Sequence, residues 1–261
     1  MPFHLAVLEH QLYNVSKKAD IMSNRRTKLI FRQVRDANLK YHLIENGDRV
    51  AVGMSGGKDS ATLLYSLKLL QQYTPLMFEL VPIYVDLGWG NQTEPLQDFC
   101  TQFDLQLVIH ETNIGEIVFQ ARKESHPCSL CANLRRGALN KVSKEYGCTK
   151  VALGHHLDDV VNTLLMSILY EGRYQVFTPK TWLDRIDITV IRPLIYVEER
   201  DIKLLADSLH FPVIKNQCPA DGATKRTEIA EFMNAFEQKF PGARRRFLSA
   251  IEKVGPNAFW S

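Results

Sequence analysis

A chain of 261 residues, 45% of them hydrophobic, can bury the core of one large α/β domain or of a domain with a modest appendage, which excludes a disordered chain. No apolar run approaches the roughly 18 residues a membrane span needs, and the start MPFHLAVLEHQ lacks the basic, apolar and small-residue regions of a secretory leader; a soluble cytoplasmic protein without membrane contact is expected. The net charge of +3 is small, and five cysteines, an odd number in a chain this large, point to thiols or metal ligands rather than a disulfide framework.

The charge is unevenly placed. Between Lys17 and Lys40 lie eight basic residues against Asp20 and Asp36, a net +6 that leaves −3 for the rest of the chain. Ile30, Val34, Ala37 and Tyr41 recur there at helical spacing, with Arg25, Lys28, Arg32 and Arg35 on roughly the opposite face. That pattern predicts an anchored helix whose basic outer stripe is either an ordinary solvated face or a track for RNA phosphates. The cluster Arg244 to Arg246 carries the same two readings. Met22 opens MSNRRTK just before this helix, so residues 1–21 read either as a poorly ordered extension or as an upstream start.

From Asp48 onward strand-like and helix-like segments alternate. Val50 to Gly53 reads as a buried strand, Asp59 to Gln72 as a helix, Phe78 to Val85 as a strand and Thr93 to Phe103 as a helix. Leu105 to His110 is the next strand, Ser129 to Tyr146 a helix, Lys150 to Gly154 a strand, Asp158 to Tyr170 a helix, with a further strand near Ile188 to Ile191. This order predicts an α/β fold, a mostly parallel sheet with helices on both faces and ligands at the carboxyl ends of the strands. After Glu198 the chain turns helical, and Ile229, Phe232, Met233, Phe236 and Phe240 predict an amphipathic helix in a C-terminal appendage.

The first strand runs into Ser55, Gly56, Gly57, Lys58, Asp59 and Ser60. Glycines between a strand and a helix place backbone N–H groups at a helix N-terminus, an anion-binding nest for phosphate. Ser55 and Ser60 add hydroxyls and Lys58 a positive charge. A Walker A loop needs Gly-x-x-x-x-Gly-Lys-Ser/Thr, whereas here Val52 holds the first glycine position and Asp59 follows the lysine. Phosphate would repel Asp59 unless a cation offset it, which makes bound Mg²⁺ an attractive companion.

Cys128 and Cys131 form a Cys-x-x-Cys pair, and Cys218 follows in NQCPADG. Spacing alone leaves a zinc half-site, a redox dithiol and two buried cysteines open, and three thiolates fall one short of a four-cysteine zinc site. Cys100 and Cys148 read as buried, inert thiols. Arg135 and Arg136 are either partners for a phosphate or another anion, or a solvated pair. In LGHHLDD, Gly154 allows close backbone approach, and His155 and His156 are candidate phosphate or nucleotide contacts. Asp158 and Asp159 are either dipole partners of the next helix or magnesium-site residues.

Taken together, SGGKDS resembles the pyrophosphate loop of the ATP pyrophosphatases. CSLC with LRRG, LGHHLDD and IRPLIYVEERDI resemble the tRNA 2-thiocytidine synthetase group within that family, over roughly Leu29 to Phe240. The resemblance implies an adenine nucleotide α-hydrolase-like sheet that splits ATP to AMP and pyrophosphate, with an N-terminal helical segment over 1–45, the pyrophosphatase domain over 46–215 and a C-terminal helical segment over 216–261. It implies Lys58, Asp59 and Asp159 as catalytic residues and the stretch Ser55 to Ser60, Gly154 and His155 as nucleotide contacts. Cys128, Cys131 and Cys218 become ligands of a 4Fe–4S cluster with one iron left open. A tRNA base, unstacked and most simply in the anticodon loop, would be adenylated at a cytidine C2 oxygen, and sulfur would then replace that oxygen. The implied partners are tRNA, a sulfur donor such as a cysteine desulfurase or free sulfide, and a second copy of the chain in a homodimer. Pro219, Ala220 and Asp221 before Gly222 depart from the group's pattern of a glycine soon after the third cysteine, which bears on the RNA substrate. Two other functions fit less of the pattern: a different ATP pyrophosphatase reaction with structural zinc, and a nucleotide-regulated RNA-binding or redox-sensing protein without turnover.

Overall fold

A computed structural model describes residues 24–121, 127–214, 217–218 and 225–254. Lys17, Lys18 and the reading of residues 1–21 and Met22 lie outside the described residues, as do Pro219 to Gly222. Six strands form one sheet: β1 (Arg49–Met54), β2 (Glu79–Asp86), β3 (Val108–Glu111), β4 (Lys150–Ala152), β5 (Lys180–Leu183) and β6 (Ile188–Ile191). Their order is β3-β2-β1-β4-β6-β5. All neighbouring pairs are parallel except β5 and β6.

The central strand β1 pairs with β2 on one side (Val50 with Leu80) and β4 on the other (Val50 with Lys150). Val50, Ala51 and Val52 are fully buried, the continuous apolar run of a strand covered on both faces. On one face lie α1 (Arg25–Tyr41), α2 (Lys58–Tyr73), α5 (Leu157–Glu171) and α6 (Glu199–Ser208), joined through Ile30, Leu63, Leu67, Val160 and Ile202. On the other face α4 (Pro127–Glu145) sets Leu139 and Val142 against Val81, Ile83 and Val151. The short helix α3 (Glu94–Thr101) tucks Leu96 and Phe99 into the first layer. The mostly parallel α/β architecture is thus the one the alternation predicts.

α1 begins at Asn24, whose side chain accepts hydrogen bonds from the N–H groups of Arg26 and Thr27 at 2.8 and 3.4 Å. Its apolar face, with Ile30, Phe31, Val34 and Ala37, is buried and packs on α2 and α6. Arg26 pairs with the buried Asp201 of α6. Arg25, Lys28 and Arg32 are exposed, and Arg35 pairs with Asp36 at 2.9 Å. Two sequence expectations shift. The edge strand β5 is a hairpin partner that the alternation missed, and β3 begins at Val108 rather than Leu105. In α7 (Lys225–Lys239) only Ile229 and Met233 are buried. Phe232 and Phe240 remain 52% and 45% exposed, because α5 and α8 (Ala243–Lys253) cover just one side of that helix.

Candidate functional site

The loop after β1 takes its shape from its glycines and serines. Gly56 has φ +79°, and a Cβ there would stand 3.0 Å from the Ile214 Cβ, so strain and crowding both require glycine. The Ile214 N–H donates to the Gly56 carbonyl at 2.8 Å, which ties the loop to the chain leading to Cys218. Ser60 knits the turn: its hydroxyl donates to the Gly57 carbonyl (2.9 Å) and its Oγ accepts from the Ser55 N–H (3.1 Å). Gly57 is the N-cap of α2 and carries no side-chain cap, so the first N–H groups of that helix face outward, as an anion site requires.

Lys58 stands at the start of α2, 3.1 Å from Asp59 and 3.0 Å from Glu199. Burial opposes its charge, but the Asp59 and Glu199 carboxylates outweigh that and hold its pKa above the ordinary value. The Asp59 Oδ1 atom is buried, and the Lys58 ammonium 3.1 Å away is its ion-pair partner. It lies 4.0 Å from His156 Nε2. A carboxylate oxygen in that position beside a phosphate nest fits a hard cation such as Mg²⁺, which takes one or two carboxylates and completes its shell with phosphate oxygens and water.

The adjoining end of β4 supplies Gly154, His155 and His156. A Cβ on Gly154 would lie 3.2 Å from the carbonyl carbon and oxygen of Asp59 and 3.3 Å from Ser60 N. The glycine therefore lets β4 close on the loop. Gly154→Ala should push that loop away and weaken ATP binding several-fold, at a stability cost of about 1–3 kcal/mol; titration with ATP and a thermal melt check both. His156 caps α5 in a capping box, its own N–H donating to Asp159 Oδ2 at 3.1 Å. The imidazole is buried among Asp158 (3.6 Å), Asp159 (3.5 Å) and Asp59 (4.0 Å). Burial alone would lower its pKa, but those carboxylates raise it. His155 behaves oppositely: burial, aided by Arg192 and Arg226, pushes it down to about 4, so it is neutral at physiological pH.

Asp158 and Asp159 make different contacts. Asp158 is buried, accepts the Glu199 N–H at 2.7 Å and pairs with Arg244 at 2.7 Å. Burial opposes its charge, yet His156, the Glu199 N–H and Arg244 together lower its pKa. It joins α5, α6 and α8. Asp159 keeps its Oδ2 on His156, whose N–H it accepts and whose Nε2 lies at 3.5 Å, and has Arg226 at 3.8 Å from its Oδ1. Arg244 of the C-terminal basic cluster is therefore internal and Arg245 pairs with Glu198, so that cluster is no plain solvated run. Sequence reading had no signal for the Arg244–Asp158 pair, whose members are distant in the chain.

Cys128 is exposed, while Cys131 and Cys218 are partly buried. Burial raises the Cys131 pKa; Arg135 counteracts this, and Cys218 and Cys128 raise it further. Cys128 and Cys218 thus lie near enough to Cys131 for their charges to act on it, as does Arg135, which also acts on Tyr84 of β2. Among the described residues no three His, Cys, Asp or Glu side chains are drawn in to metal-ligating spacing, so the thiols are neighbours rather than a closed cage. The donor set, soft sulfur next to a guanidinium that offsets negative charge, fits an iron–sulfur group in its chemistry. Cys100 and Cys148 are buried in the core, and burial pushes Cys100 up to about 12.

A glycine loop running from the central strand of a parallel sheet into a helix, closed by a glycine from the neighbouring strand, is the build of an α/β domain of the PP-loop class, and the PP-loop domain family matches residues 24–233. The tRNA-cytidine(32) 2-sulfurtransferase of Geobacter sulfurreducens is 36% identical over 241 residues, covering 91% of this chain and 94% of that protein. The enzyme of the same name from Escherichia coli O139:H28 is 37% identical over 250 residues, covering 95% and 80%. Among solved structures, the U34-tRNA thiolase NcsA from Methanococcus maripaludis with its 4Fe–4S cluster is similar at a TM-score of 0.70 and 27% identity, over 88% of this chain and 80% of that one. The chain belongs to the PP-loop family, in the group of the tRNA-cytidine(32) 2-sulfurtransferases. Among the described residues no helix is long and apolar enough to cross a membrane.

Proposed function

We propose that this protein is an ATP-dependent tRNA sulfurtransferase that adenylates a cytidine at its C2 oxygen and exchanges that oxygen for sulfur. The observation that carries the proposal is the placement of a phosphate nest and a three-thiol neighbourhood at one end of the same sheet, in a chain whose relatives thiolate tRNA cytidine by name. The outward N–H groups of α2 and Lys58 take the β- and γ-phosphates. The base's C2 oxygen attacks the α-phosphorus, the bond to the β-phosphate breaks, and Lys58 stabilises the charge that collects on departing pyrophosphate. Asp59, with Asp159, would hold Mg²⁺, which neutralises phosphate charge. An amide-like oxygen leaves poorly. Once it carries AMP, sulfide sulfur can attack C2 and AMP departs with the oxygen. Cys128, Cys131 and Cys218 would hold a 4Fe–4S cluster, whose chemistry is to present a sulfur nucleophile at an iron without a thiolate ligand. The sulfur itself comes from free sulfide, or from the persulfide of a cysteine desulfurase once a thiol reductant has supplied the two electrons that release it as sulfide.

Anaerobic purification with iron and sulfide analysis, followed by pyrophosphate release on adding ATP and tRNA, tests this reading. Iron and sulfide in a near four-to-four ratio and RNA-dependent pyrophosphate are the expected results. Zinc without a chromophore would overturn it in favour of another PP-loop reaction. The same reading gives the α1 stripe a role as a phosphate track. Changing Arg25, Lys28, Arg32 and Arg35 together to Gln should weaken tRNA binding by about tenfold or more and flatten its salt dependence, with ATP binding unchanged. Undiminished tRNA affinity at low salt would make the stripe an ordinary solvated face.

A further inference from the structure

The motif IRPLI contributes a residue that adenylation and sulfur transfer do not use. Arg192 follows β6 directly, at the sheet end that also carries the loop. Its Nη1 donates to the Thr178 carbonyl at 2.6 Å and to Thr181 Oγ1 at 3.3 Å, which pins the guanidinium toward the β5 edge. Its Cζ lies 4.9 Å from the centroid of the Phe177 ring, and that ring meets His155 at 5.0 Å. The Nε atom is buried and has no hydrogen-bond partner among the described residues. No carboxylate pairs with Arg192, Arg135 or Arg136 among the described ion pairs. Burial, with the like charge of Arg136, pushes the Arg192 pKa down to about 10.

Removing a guanidinium from water without an anion is costly, and a second guanidinium close by adds to the cost. With Nη1 committed to Thr178 and Thr181 and Nε enclosed by protein, Nη2 is the donor left for a phosphate oxygen, and Nε joins it only when the guanidinium turns as the phosphate enters. We propose that Arg192, with Arg136 of α4, forms a second phosphate subsite that takes a backbone phosphodiester of the tRNA next to the target cytidine. The proposal rests on the sulfurtransferase reading and deepens it. The nucleotide's own phosphates are the wrong occupant. β6 is separated from β1 by β4, and Thr178 and Thr181 hold the guanidinium toward β5, on the side of β6 away from the loop. The cysteine neighbourhood is likewise served by a different residue, since Arg135 rather than Arg136 acts on Cys131. A base drawn out of its stack must be held by the phosphates that flank it. The neutral His155 and the Phe177 ring beside Arg192 offer flat surfaces at that point.

Arg192→Gln, Arg192→Lys and Arg136→Gln separate the sources of the phosphate. Arg192→Gln should weaken tRNA binding by about tenfold to a hundredfold and reduce the slope of log affinity against log salt by about 0.7–0.9. Arg136→Gln should act in the same direction with a smaller loss. Arg192→Lys should keep most of the salt slope while losing affinity, because the charge stays and the fork does not. ATP affinity measured without tRNA should be unchanged in all three, which also reports that the loop remains folded. Arg136 is exposed, so Arg136→Gln decides the matter if Arg192→Gln fails to fold. Unaltered tRNA affinity and slope would overturn the subsite, and so would a loss confined to ATP affinity, which would assign the arginine to the nucleotide. Wild-type protein that neither binds nor thiolates tRNA would instead sink the sulfurtransferase reading itself.

Discussion

Lys58→Ala should abolish tRNA-dependent pyrophosphate release, by at least about 10²-fold, while leaving the fold and metal content in place. Lys58 is the one positive side chain within the loop, and it stands at the N-terminus of α2, where the proposed reaction develops leaving-group charge. Its contacts in the structure are with Asp59 at 3.1 Å and Glu199 at 3.0 Å. Those carboxylates keep the ammonium protonated above its ordinary pKa, and both must yield when phosphates enter. A purely structural lysine would tie α2 to α6 through Glu199. Glu199 is half exposed, so that pair is worth about 0–1 kcal/mol, and the melting temperature should barely move. Glu199→Gln supplies the comparison: it breaks the same pair, keeps the lysine, and should retain pyrophosphate release. Equal losses in both variants would show that the pair, not the phosphate contact, matters. Full adenylating activity in Lys58→Ala would remove the loop from the chemistry.

The loop was legible because its determinants are contiguous. A buried strand, two glycines and a helix start occupy one short stretch, and local backbone rules suffice to read them. The α1 face was legible for the same reason: Ile30, Val34 and Ala37 are buried as their spacing predicts. β5 was not. It has four residues with alternating exposure, and Trp182 within it is 64% exposed, so neither length nor hydrophobicity sets it apart from a loop. α7 shows the opposite error. Five apolar residues at helical spacing state that a helix is amphipathic, but the width of the buried face depends on how many neighbours cover it. The pairs that organise the site's support escaped for a different reason. Arg244 with Asp158, Arg26 with Asp201, and the loop carbonyl of Gly56 with Ile214 N–H join segments that only the fold brings together. Arg192 sits in a motif that was read as family pattern; its unpartnered Nε is visible only in three dimensions.

Cys128→Ala, Cys131→Ala and Cys218→Ala should each lose or degrade the iron chromophore and all thiolation, yet bind ATP with wild-type affinity. In the proposed cluster three ligands leave no redundancy and the exposed iron makes it labile, so deleting one thiolate should be far more damaging than a comparable change elsewhere. ATP binding survives because the loop's own hydrogen bonds, among Ser55, Gly57 and Ser60, involve no cysteine. The controls are Cys100→Ala and Cys148→Ala. Both thiols are buried in the core, and burial raises the pKa of each, that of Cys100 to about 12, so they are protonated and poor ligands at neutral pH. Their removal should cost about 1 kcal/mol of packing and leave the chromophore intact. Strict anaerobiosis is needed throughout, since oxygen attack on an open cluster would make every variant look equally inactive. The outcome that separates ligand choice from mechanism is the pattern across the five. Should Cys218→Ala keep both cluster and thiolation while Cys100→Ala or Cys148→Ala loses them, the third ligand is misassigned. Thiolation that persists in all five variants would mean that sulfur reaches C2 without these cysteines, and the iron–sulfur route would fall while the adenylating loop stood.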